Sequence, residues 1–508
     1  MDMWWIYLVC LGLSAIFCLP LTMVVRHSGQ KLKVYDTPDH RHINKRTVPR
    51  LGGVPIVAAS LMAFGIAFYG KDIFRWNPVP ASDQSLLLPL IGGAIGVWLL
   101  GLFDDVRYVR ARYKLIMQLA IAAGVYFLGL QIHAIHFPVW GTLQLGGYSL
   151  PFTILWIVGV MNSVNLIDGI DGLCSGVVLS TLLGILSLAI FFGSDMGTLI
   201  CCALIGTILF FFMFFNFPPA TIFLGDSGAY FLGFMVAALP IFIAAESASP
   251  HVFHVSFLTF LIVPLVDTCL AITRRLLIGV PVSTPDRGHL HHRLLDKGYS
   301  HKRIMATISG ISLVLVIVGI TLVVGNRWQI TLALVVATVD VYLLLRLCDI
   351  DSLKDLRQPD ETVSSKAGVL RKHLPSFFYD LTYAADWSQA VKVLEGFSQN
   401  TEMHAAKIMY RKNRENDHQD VIWSWNAKNS FSCRRSRQLY KTYEMSDGNG
   451  GGYRCYFCWD SEYDHIHTDT DALLEVTAEI IGKSCNEIYL PITTTTKIEC
   501  RQKQDAVC

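Results

Sequence analysis

Four polar side chains with the potential for chemistry lie close together in the segment Asn162–Gly172, between two apolar runs that could each form a membrane helix. They are the carboxylates of Asp168 and Asp171 and the carboxamides of Asn162 and Asn165. An ionisable group beside a hydrophobic span costs several kcal/mol unless a cavity or a partner receives it, so such groups are candidates for function. The segment therefore predicts either a functional site or a capped turn in solvent.

A pair of adjacent acids, Asp104 and Asp105, ends another apolar run, and Lys114 stands at the start of the next one. Adjacent carboxylates repel each other unless a cation or a proton lies with them. Acids that serve a metal ion, together with cations that serve phosphate oxygens, are what a magnesium-bound phosphate substrate requires. Lys45 and Arg50 add two cations just before a further apolar run. The pattern indicates a phosphate site, and a structural ion pair at a helix end is the alternative.

A single acid, Asp226, lies between apolar neighbours in Phe223–Gly228, shortly after Asn216 and two prolines. Magnesium usually takes one or two carboxylates, while substrate phosphates and water complete its shell, so one acid can supply a ligand. The alternative is that Asp226 caps the N-terminus of the next helix. This segment alone leaves both functions open.

Three histidines and two arginines fall in one polar loop, in the order Arg287, His289, His291, His292 and Arg293. The spacing lacks the i,i+4 helical pattern of a zinc protease, and no acid follows in register. Arginine and histidine together suit the stabilisation of a pyrophosphate or of a leaving group. The loop therefore predicts a diphosphate-binding site, with a transition-metal site as the alternative.

The elements that carry these segments follow from composition. The chain has 508 residues, of which 52% are hydrophobic and 16% charged, a balance typical of a polytopic membrane protein. Eleven apolar runs could span a bilayer, at 4–25, 51–69, 86–103, 114–130, 151–164, 173–192, 197–216, 228–245, 255–273, 304–324 and 329–347. The net charge of +2 gives no reason to expect a nucleic-acid partner.

The orientation of these spans follows from the lysines and arginines of the short loops, which are most frequent on the cytoplasmic side. Loops 26–50, 104–114 and 274–303 are rich in both residues, whereas the loops of opposite parity hold few. This distribution predicts that the N-terminus is outside and that all the polar segments described above face the cytoplasm. A transporter is expected to hold its ionisable groups near the bilayer midplane, so a one-sided arrangement favours an enzyme. Segment 132–150 is predicted to form a hairpin on the outer surface.

The chain is predicted to change character after the last span. Residues 1–348 form the transmembrane catalytic domain, 349–365 a charged linker, 366–490 a soluble α+β domain in the cytoplasm, and 491–508 a disordered tail. Every motif with a chemical rationale precedes residue 300, so we expect the α+β domain to be a regulatory or partner-binding module outside the catalytic site. The predicted fold is thus a polytopic α-helical membrane protein of about eleven transmembrane helices, followed by a soluble α+β cytoplasmic domain.

In this order and on one face, the motifs resemble those of the polyprenyl-phosphate N-acetylhexosamine-1-phosphate transferases. The matching segments are Thr47–Gly53, Gly101–Asp105 with Lys114, Asn162–Gly172, Asn216–Gly228 and Asp286–Arg293. The resemblance implies an eleven-span core in the bacterial cytoplasmic membrane. It further implies transfer of a sugar-1-phosphate from a UDP-sugar to undecaprenyl phosphate, with release of UMP. A requirement for Mg²⁺, with Mn²⁺ as a substitute, belongs to the same expectation.

The resemblance also implies a role for each candidate residue. Asp226 would be the principal metal ligand, together with Asp104 and Asp168. The catalytic residues would be Asp104, Asp105, Asp168, Asp171 and His289. The substrate-binding residues would be Lys45, Arg50, Lys114, Asn162, Asn165, Asn216, Arg287, His291 and His292.

The donor sugar is predicted from the histidine loop. The family branch that uses a UDP-muramoyl-peptide carries three consecutive histidines followed by an acid, whereas this chain has His-Leu-His-His-Arg. The loop therefore resembles that of the branch using simple UDP-N-acetylhexosamines, with UDP-GlcNAc as the first choice and UDP-GalNAc or a deoxy-sugar analogue as the second. A flippase or transporter for a lipid-linked sugar is the alternative of a different class. A second copy of the chain remains a candidate partner.

Overall fold

The computed structural model of the chain divides into two compact units. The described residues are 4–31, 35–36, 48–69, 84–107, 109–194, 196–246, 251–278, 288–348, 366–401, 403, 405–411, 420–426, 438–446, 452–460 and short pieces between 474 and 485. The predicted substrate-binding residues Lys45 and Arg287, the linker 349–365 and the tail 491–508 lie outside the described residues.

The membrane unit is built from helices that follow the apolar runs of the sequence. Its longer helices are α1 (Trp4–Lys31), α2 (Gly53–Tyr69), α3 (Gln84–Val106), α4 (Ala111–Phe127), α5 (Ser149–Ile167), α6 (Leu173–Phe191), α7 (Met196–Asn216) and α8 (Gly225–Glu246). They continue with α9 (Ser256–Phe260), α10 (Ile262–Ile278), α11 (Leu290–Asp296), α12 (His301–Val324) and α13 (Arg327–Leu347). The residues of α10 from Ala271 onward belong to the second unit. Short strands β1 (Tyr35–Asp36) and β2 (Val48–Pro49) pair antiparallel between α1 and α2.

Eight of the described helices are long and apolar enough to cross a bilayer, which confirms a polytopic membrane protein. The predicted spans at 51–69 and 114–130 coincide with the shorter helices α2 and α4. The predicted span at 255–273 is not one helix, because it breaks at Leu261 between α9 and α10. Pro264 explains the break, since its ring would clash with the carbonyl of Phe260 in a continuous helix. The count of eleven spans stays a prediction.

Helix α8 lies at the centre of the membrane unit, and almost all of its residues are buried. Helix α3 approaches it very closely at Gly101. A methyl group at Gly101 would come within 2.5 Å of both the Asp226 carbonyl oxygen and the Ser227 Cα. A real side chain does not fit there, so the glycine sets the spacing between α3, which carries Asp104 and Asp105, and α8, which carries Asp226.

A three-stranded sheet lies at the other end of α4, α5 and α8. Strand β3 (Ala134–Phe137) pairs antiparallel with β4 (Gly141–Gln144) and parallel with β5 (Val252–His254). The hairpin predicted at 132–150 is thereby confirmed, while its location outside the membrane stays a prediction. Parallel strands need a long connection, here supplied by α5 to α8. The sheet therefore ties the C-terminal end of α4 to the C-terminal end of α8.

The second unit has α+β architecture, as the sequence predicted. Its described elements are α14 (Lys366–Thr382), α15 (Trp387–Asn400), β6 (Ala405–Arg411), β7 (Asp420–Asn426), β8 (Gln438–Ser446) and β9 (Gly452–Asp460). The strands form one antiparallel sheet in the order β7-β6-β9-β8. Apolar residues of the helices and the sheet close a single core, in which the rings of Phe377 and Phe397 stack with centroids 4.0 Å apart. That this unit is soluble stays a prediction.

Truncation after about residue 350 is expected to leave an active membrane core. The reason is that the described residues of the α+β unit close an apolar core of their own, as a separately folding domain does. The truncated protein should keep kcat within several-fold of the full chain, a change of about 1 kcal/mol in the barrier. The measurement is steady-state turnover in detergent. A truncated core that is folded and binds the UDP-sugar but does not turn over would contradict the expectation.

Candidate active site

A lysine and two acids from three different helices meet at one end of the membrane unit. The ammonium Nζ of Lys114 in α4 donates to the Asp104 carboxylate of α3 at 2.7 Å and to the Asp226 carboxylate of α8 at 3.4 Å. The two carboxyl groups are also within hydrogen-bonding reach of each other. All three side chains keep some exposure, 9% for Asp104, 17% for Asp226 and 19% for Lys114. The group is therefore open to a ligand from one side.

Asp105 has a different position from its neighbour, because it caps α8. Its Oδ1 accepts from the backbone N–H of Asp226 at 2.8 Å and its Oδ2 from the N–H of Ser227 at 3.0 Å. The first N–H groups of a helix have no partner within the helix, and a carboxylate there also interacts favourably with the helix dipole. Both oxygens of Asp105 thus hold the α8 terminus, and through it Asp226.

The backbone around Gly225 brings Arg50 to the same place. The N–H groups of Gly52 and Gly53 donate to the carbonyls of Phe223 and Leu224, each at 2.9 Å. Gly225 has φ of +73°, and a methyl group there would contact the Arg50 carbonyl and the Asp105 carboxylate. Only glycine adopts this backbone without strain, so the Gly-Asp of this segment is a structural requirement for the site.

Asp168 stands just beyond the C-terminus of α5 and is partly buried. Burial raises the pKa of Asp168 well above its ordinary value; the Arg50 guanidinium opposes this shift, and the carboxylates of Asp226, Asp105 and Asp171 add to it. A carboxyl group among other acids stays protonated unless a cation joins it. Asp168 is therefore part of the same electrostatic cluster as Asp226.

The charges of this cluster fit a divalent cation. Among the described residues, Lys114 and Arg50 are cations that interact with the acids Asp104, Asp105, Asp168 and Asp226. In the described part of the chain no three acidic, histidine or cysteine side chains converge on one point. Magnesium does not need such a cage, since it takes one or two carboxylates and fills its shell with water and phosphate oxygens. The donor set therefore fits Mg²⁺.

The histidine loop packs on the segment Asn162–Gly172. The imidazole of His291 lies against the backbone of Gly169, where a methyl group would meet its Nε2. The ring of His289 is parallel to that of His291, with centroids 5.9 Å apart. Burial, followed by the neighbouring His292 and His289, lowers the pKa of His291 to about 3, so His291 is neutral at pH 7. The two motifs, distant in sequence, thus form one wall.

Two of the predicted site residues, Asn162 and Asn216, have their side-chain amides engaged within the protein. Asn162 donates to the Gln118 side chain at 2.7 Å and to the Val158 carbonyl. Asn216 is buried, accepts from Ser175 at 2.8 Å and donates to the Ile222 carbonyl at 3.0 Å. These contacts join helices and shape the loop before α8, so the structure shows them as supports of the site; direct substrate binding by them stays a prediction.

Asp171 also supports the loop before α8. Its Oδ2 accepts from the backbone N–H of Ala220 at 2.9 Å and lies 3.9 Å from Nδ1 of His301. Asn165, by contrast, is half-buried on the last turn of α5, one turn before Asp168. His292 is half-buried beside His291, with ring centroids 4.3 Å apart.

Two residues that the sequence reasoning missed belong to the site. Asp267 in α10 is 2% exposed and pairs with His289 across 2.9 Å. The signal for it was present, since an acid inside an apolar run is a functional candidate. Tyr230, buried in α8, lies within hydrogen-bonding reach of Lys114. It stands one turn after Asp226 in an apolar helix, and nothing in the sequence distinguishes it there from a core residue.

Comparison with known proteins identifies the family. The family model described as glycosyl transferase family 4 matches residues 87–244. Over 319 residues the chain is 32% identical to the probable undecaprenyl-phosphate N-acetylglucosaminyl 1-phosphate transferase of Bacillus subtilis, covering 62% of this chain and 84% of the relative.

Two further relatives give the same result. The chain is 31% identical over 330 residues to the decaprenyl-phosphate N-acetylglucosaminephosphotransferase of Mycobacterium tuberculosis, covering 59% of this chain and 79% of that one. It is 30% identical over 298 residues to the phospho-N-acetylmuramoyl-pentapeptide-transferase of Chlamydia trachomatis, covering 55% of this chain and 84% of the relative. The acid cluster, the histidine wall and these similarities together show that the chain belongs to the polyprenyl-phosphate N-acetylhexosamine-1-phosphate transferases and is a phosphosugar transferase.

Proposed function

We propose that the protein transfers GlcNAc-1-phosphate from UDP-GlcNAc to undecaprenyl phosphate and so initiates a lipid-linked cell-surface glycan. The observation that carries the proposal is the contact of Asp104 and Asp226 around Lys114, at the membrane-helix ends where a soluble and a lipid substrate can meet. An oxygen of the lipid phosphate attacks the β-phosphorus of the UDP-sugar. The bond from that phosphorus to the bridging oxygen breaks, and UMP leaves with this oxygen.

The residues of this chain mainly bind and orient the two phosphates. Asp226 and Asp104, with Asp168 beside them, would hold Mg²⁺, which neutralises phosphate charge when bound. Lys114 and Arg50 supply the fixed cations for phosphate oxygens. A phosphate monoester has its second pKa near ~6, so the lipid phosphate is mostly dianionic at pH 7 and needs no strong base. Positioning and charge neutralisation therefore account for most of the catalysis.

UDP-GlcNAc is favoured as the donor for two reasons. The Bacillus and Mycobacterium relatives carry N-acetylglucosamine in their names. The histidine loop of this chain, His-Leu-His-His-Arg, also lacks the third consecutive histidine and the acid of the muramoyl-peptide branch. UDP-GalNAc or a deoxy-sugar analogue is the second choice, with the same chemistry at phosphorus.

The test is release of UMP by detergent-solubilised protein supplied with UDP-GlcNAc, polyprenyl phosphate and Mg²⁺. We expect UMP and a lipid-linked product in equal amounts, dependent on all three components, with Mn²⁺ replacing Mg²⁺. Repeating the assay with UDP-GalNAc ranks the donors. No UMP from any UDP-sugar would reject the proposal and favour a flippase. Light scattering of the same preparation tests whether the chain forms a homodimer.

We further propose a location in the bacterial inner membrane with the active site facing the cytoplasm. The lysine- and arginine-rich loops support this orientation. Single cysteines at the exposed positions Arg110 and Lys297 should react with an impermeant maleimide from the cytoplasmic side only, and one at Thr142 from the outside only. Mass spectrometry of the labelled peptides distinguishes them from native cysteines. Labelling of Lys297→Cys from outside would contradict the orientation.

A further inference from the structure

An acid that takes no part in the metal cluster holds the histidine loop. Asp267 lies in α10, buried at 2% exposure, and both of its carboxylate oxygens are engaged. Oδ1 accepts from the backbone N–H of Leu290 at 2.8 Å, and Oδ2 lies 2.9 Å from Nδ1 of His289. A buried charge is tolerated only when it is paired and hydrogen-bonded, so this carboxylate has a defined task.

The pairing determines which nitrogen of His289 carries the proton. An ionised carboxylate only accepts hydrogen bonds, so Nδ1 of His289 must donate to it. This leaves Nε2 as the ring nitrogen that a ligand can meet. The parallel ring of His291, itself fixed against Gly169, restricts rotation of His289. Tautomer and orientation are therefore both set by contacts within the protein.

We propose that Asp267 is a positioning residue of the transfer reaction, which presents Nε2 of His289, in the tautomer that this pairing fixes, as a hydrogen-bond acceptor to an N–H or O–H group of the donor sugar. The inference rests on the proposed function, because it assigns His289 to the donor side of that site. Asp267 itself touches no substrate. It acts through His289 and through the Leu290 N–H that begins α11.

The substitution Asp267→Asn tests this proposal sharply. The backbone N–H of Leu290 is a donor and needs an acceptor, so the side-chain oxygen of the new asparagine must stay opposite it. The side-chain nitrogen of the asparagine must then face His289. That nitrogen donates, so Nδ1 must become an acceptor and Nε2 must carry the proton. The shape is preserved while the tautomer is reversed. Asp267→Glu restores an acceptor, and Asp340→Asn, the same change in the apolar helix α13, is the matched control.

We expect Asp267→Asn to lower kcat by about 100-fold, the cost of misplacing a reacting group by about 1 Å, with KM for UDP-GlcNAc within roughly threefold of wild type. In Asp267→Asn, the nitrogen chemical shifts of Nδ1 and Nε2 of His289 should be interchanged relative to the wild type. The signals are assigned by their absence in His289→Gln. In the His289→Gln background, Asp267→Asn should lower kcat by less than about a further threefold. The reason is that Asp267 acts through His289, so the two losses are not additive. Asp267→Glu should recover part of the loss, and Asp340→Asn should stay near wild type.

Several outcomes would overturn the proposal. One is wild-type kcat in Asp267→Asn, and another is an equal loss with and without His289. A third is a loss of kcat that Asp267→Glu does not recover and that is accompanied by a fall in the thermal midpoint. That result would assign Asp267 a structural role. If the wild-type protein releases no UMP, the proposed function fails, yet the nitrogen shifts still test whether Asp267 sets the tautomer.

Discussion

Asp226→Asn is expected to abolish transfer, with a loss of at least about 1,000-fold or ~4 kcal/mol in the barrier. Asparagine keeps the shape of aspartate but removes the charge that binds a hard cation. The fold should persist, because Asp105 caps α8 through the backbone N–H groups of Asp226 and Ser227, and Lys114 keeps its 2.7 Å contact with Asp104. Yield and thermal midpoint should therefore remain near wild type.

Mn²⁺ binding separates a lost metal ligand from a lost substrate contact. Electron paramagnetic resonance should show Mn²⁺ bound by the wild-type protein with UDP-GlcNAc present, and weaker binding by Asp226→Asn under the same conditions. Asp340→Asn, which neutralises an acid of α13, should bind Mn²⁺ as the wild type does. Retention of more than about a tenth of the activity, a loss of only ~1.4 kcal/mol, would remove Asp226 from the metal site.

Gly101→Ala is expected to inactivate the enzyme through a single methyl group. The added Cβ would come within 2.5 Å of the Asp226 carbonyl oxygen and of the Ser227 Cα. These are backbone atoms, so no side-chain rotation can relieve the clash and α3 must move away from α8. Overpacking of this kind costs about 1–3 kcal/mol in stability. The larger effect should be on kcat, because a misplacement of about 1 Å in a catalytic group can cost ~100-fold.

Gly92→Ala is the matched control for this prediction. It makes the same change in the same helix, at a position where an added methyl group has no atom within 4 Å. Its activity should equal that of the wild type, and its stability should rise slightly because alanine favours the helix. Thermal unfolding and kcat of both variants are the measurements. Equal behaviour of the two variants would show that the spacing at Gly101 does not matter.

The sequence was sufficient to predict the charged centre of the site but not its supports. Asp104 and Asp226 could be predicted because isolated acids at the ends of apolar runs have few structural uses. Asn216 has the same signal, yet the structure shows its amide bonded to Ser175 and to a backbone carbonyl. Polar residues that bind substrate and those that brace a loop look alike until their partners are known. Asp267 carries the same signal inside an apolar run, but its task is evident only from its contact with His289, which lies on another segment.

The fold could be predicted in outline for a related reason. The length of an apolar run predicts that a helix exists. It does not predict which helices pack beside it or where the helix breaks. The division of the ninth run at Leu261 follows from Pro264, whose effect on the preceding turn is local and readable. The close approach of α3 and α8 depends on Gly101, which in a single sequence is indistinguishable from Gly92 on the same helix.

The parallel pairing of β3 with β5 sets an order on biogenesis. The partners Ala134 and Val252 are adjacent in space but are separated along the chain by α5, α6, α7 and α8. During synthesis, β3 therefore has no parallel partner until these four helices have been made and β5 has emerged. Only then are the C-terminal ends of α4 and α8 joined. A nascent chain arrested before Val252 should hold every acid of the cluster and yet lack the tie that keeps their helices in register.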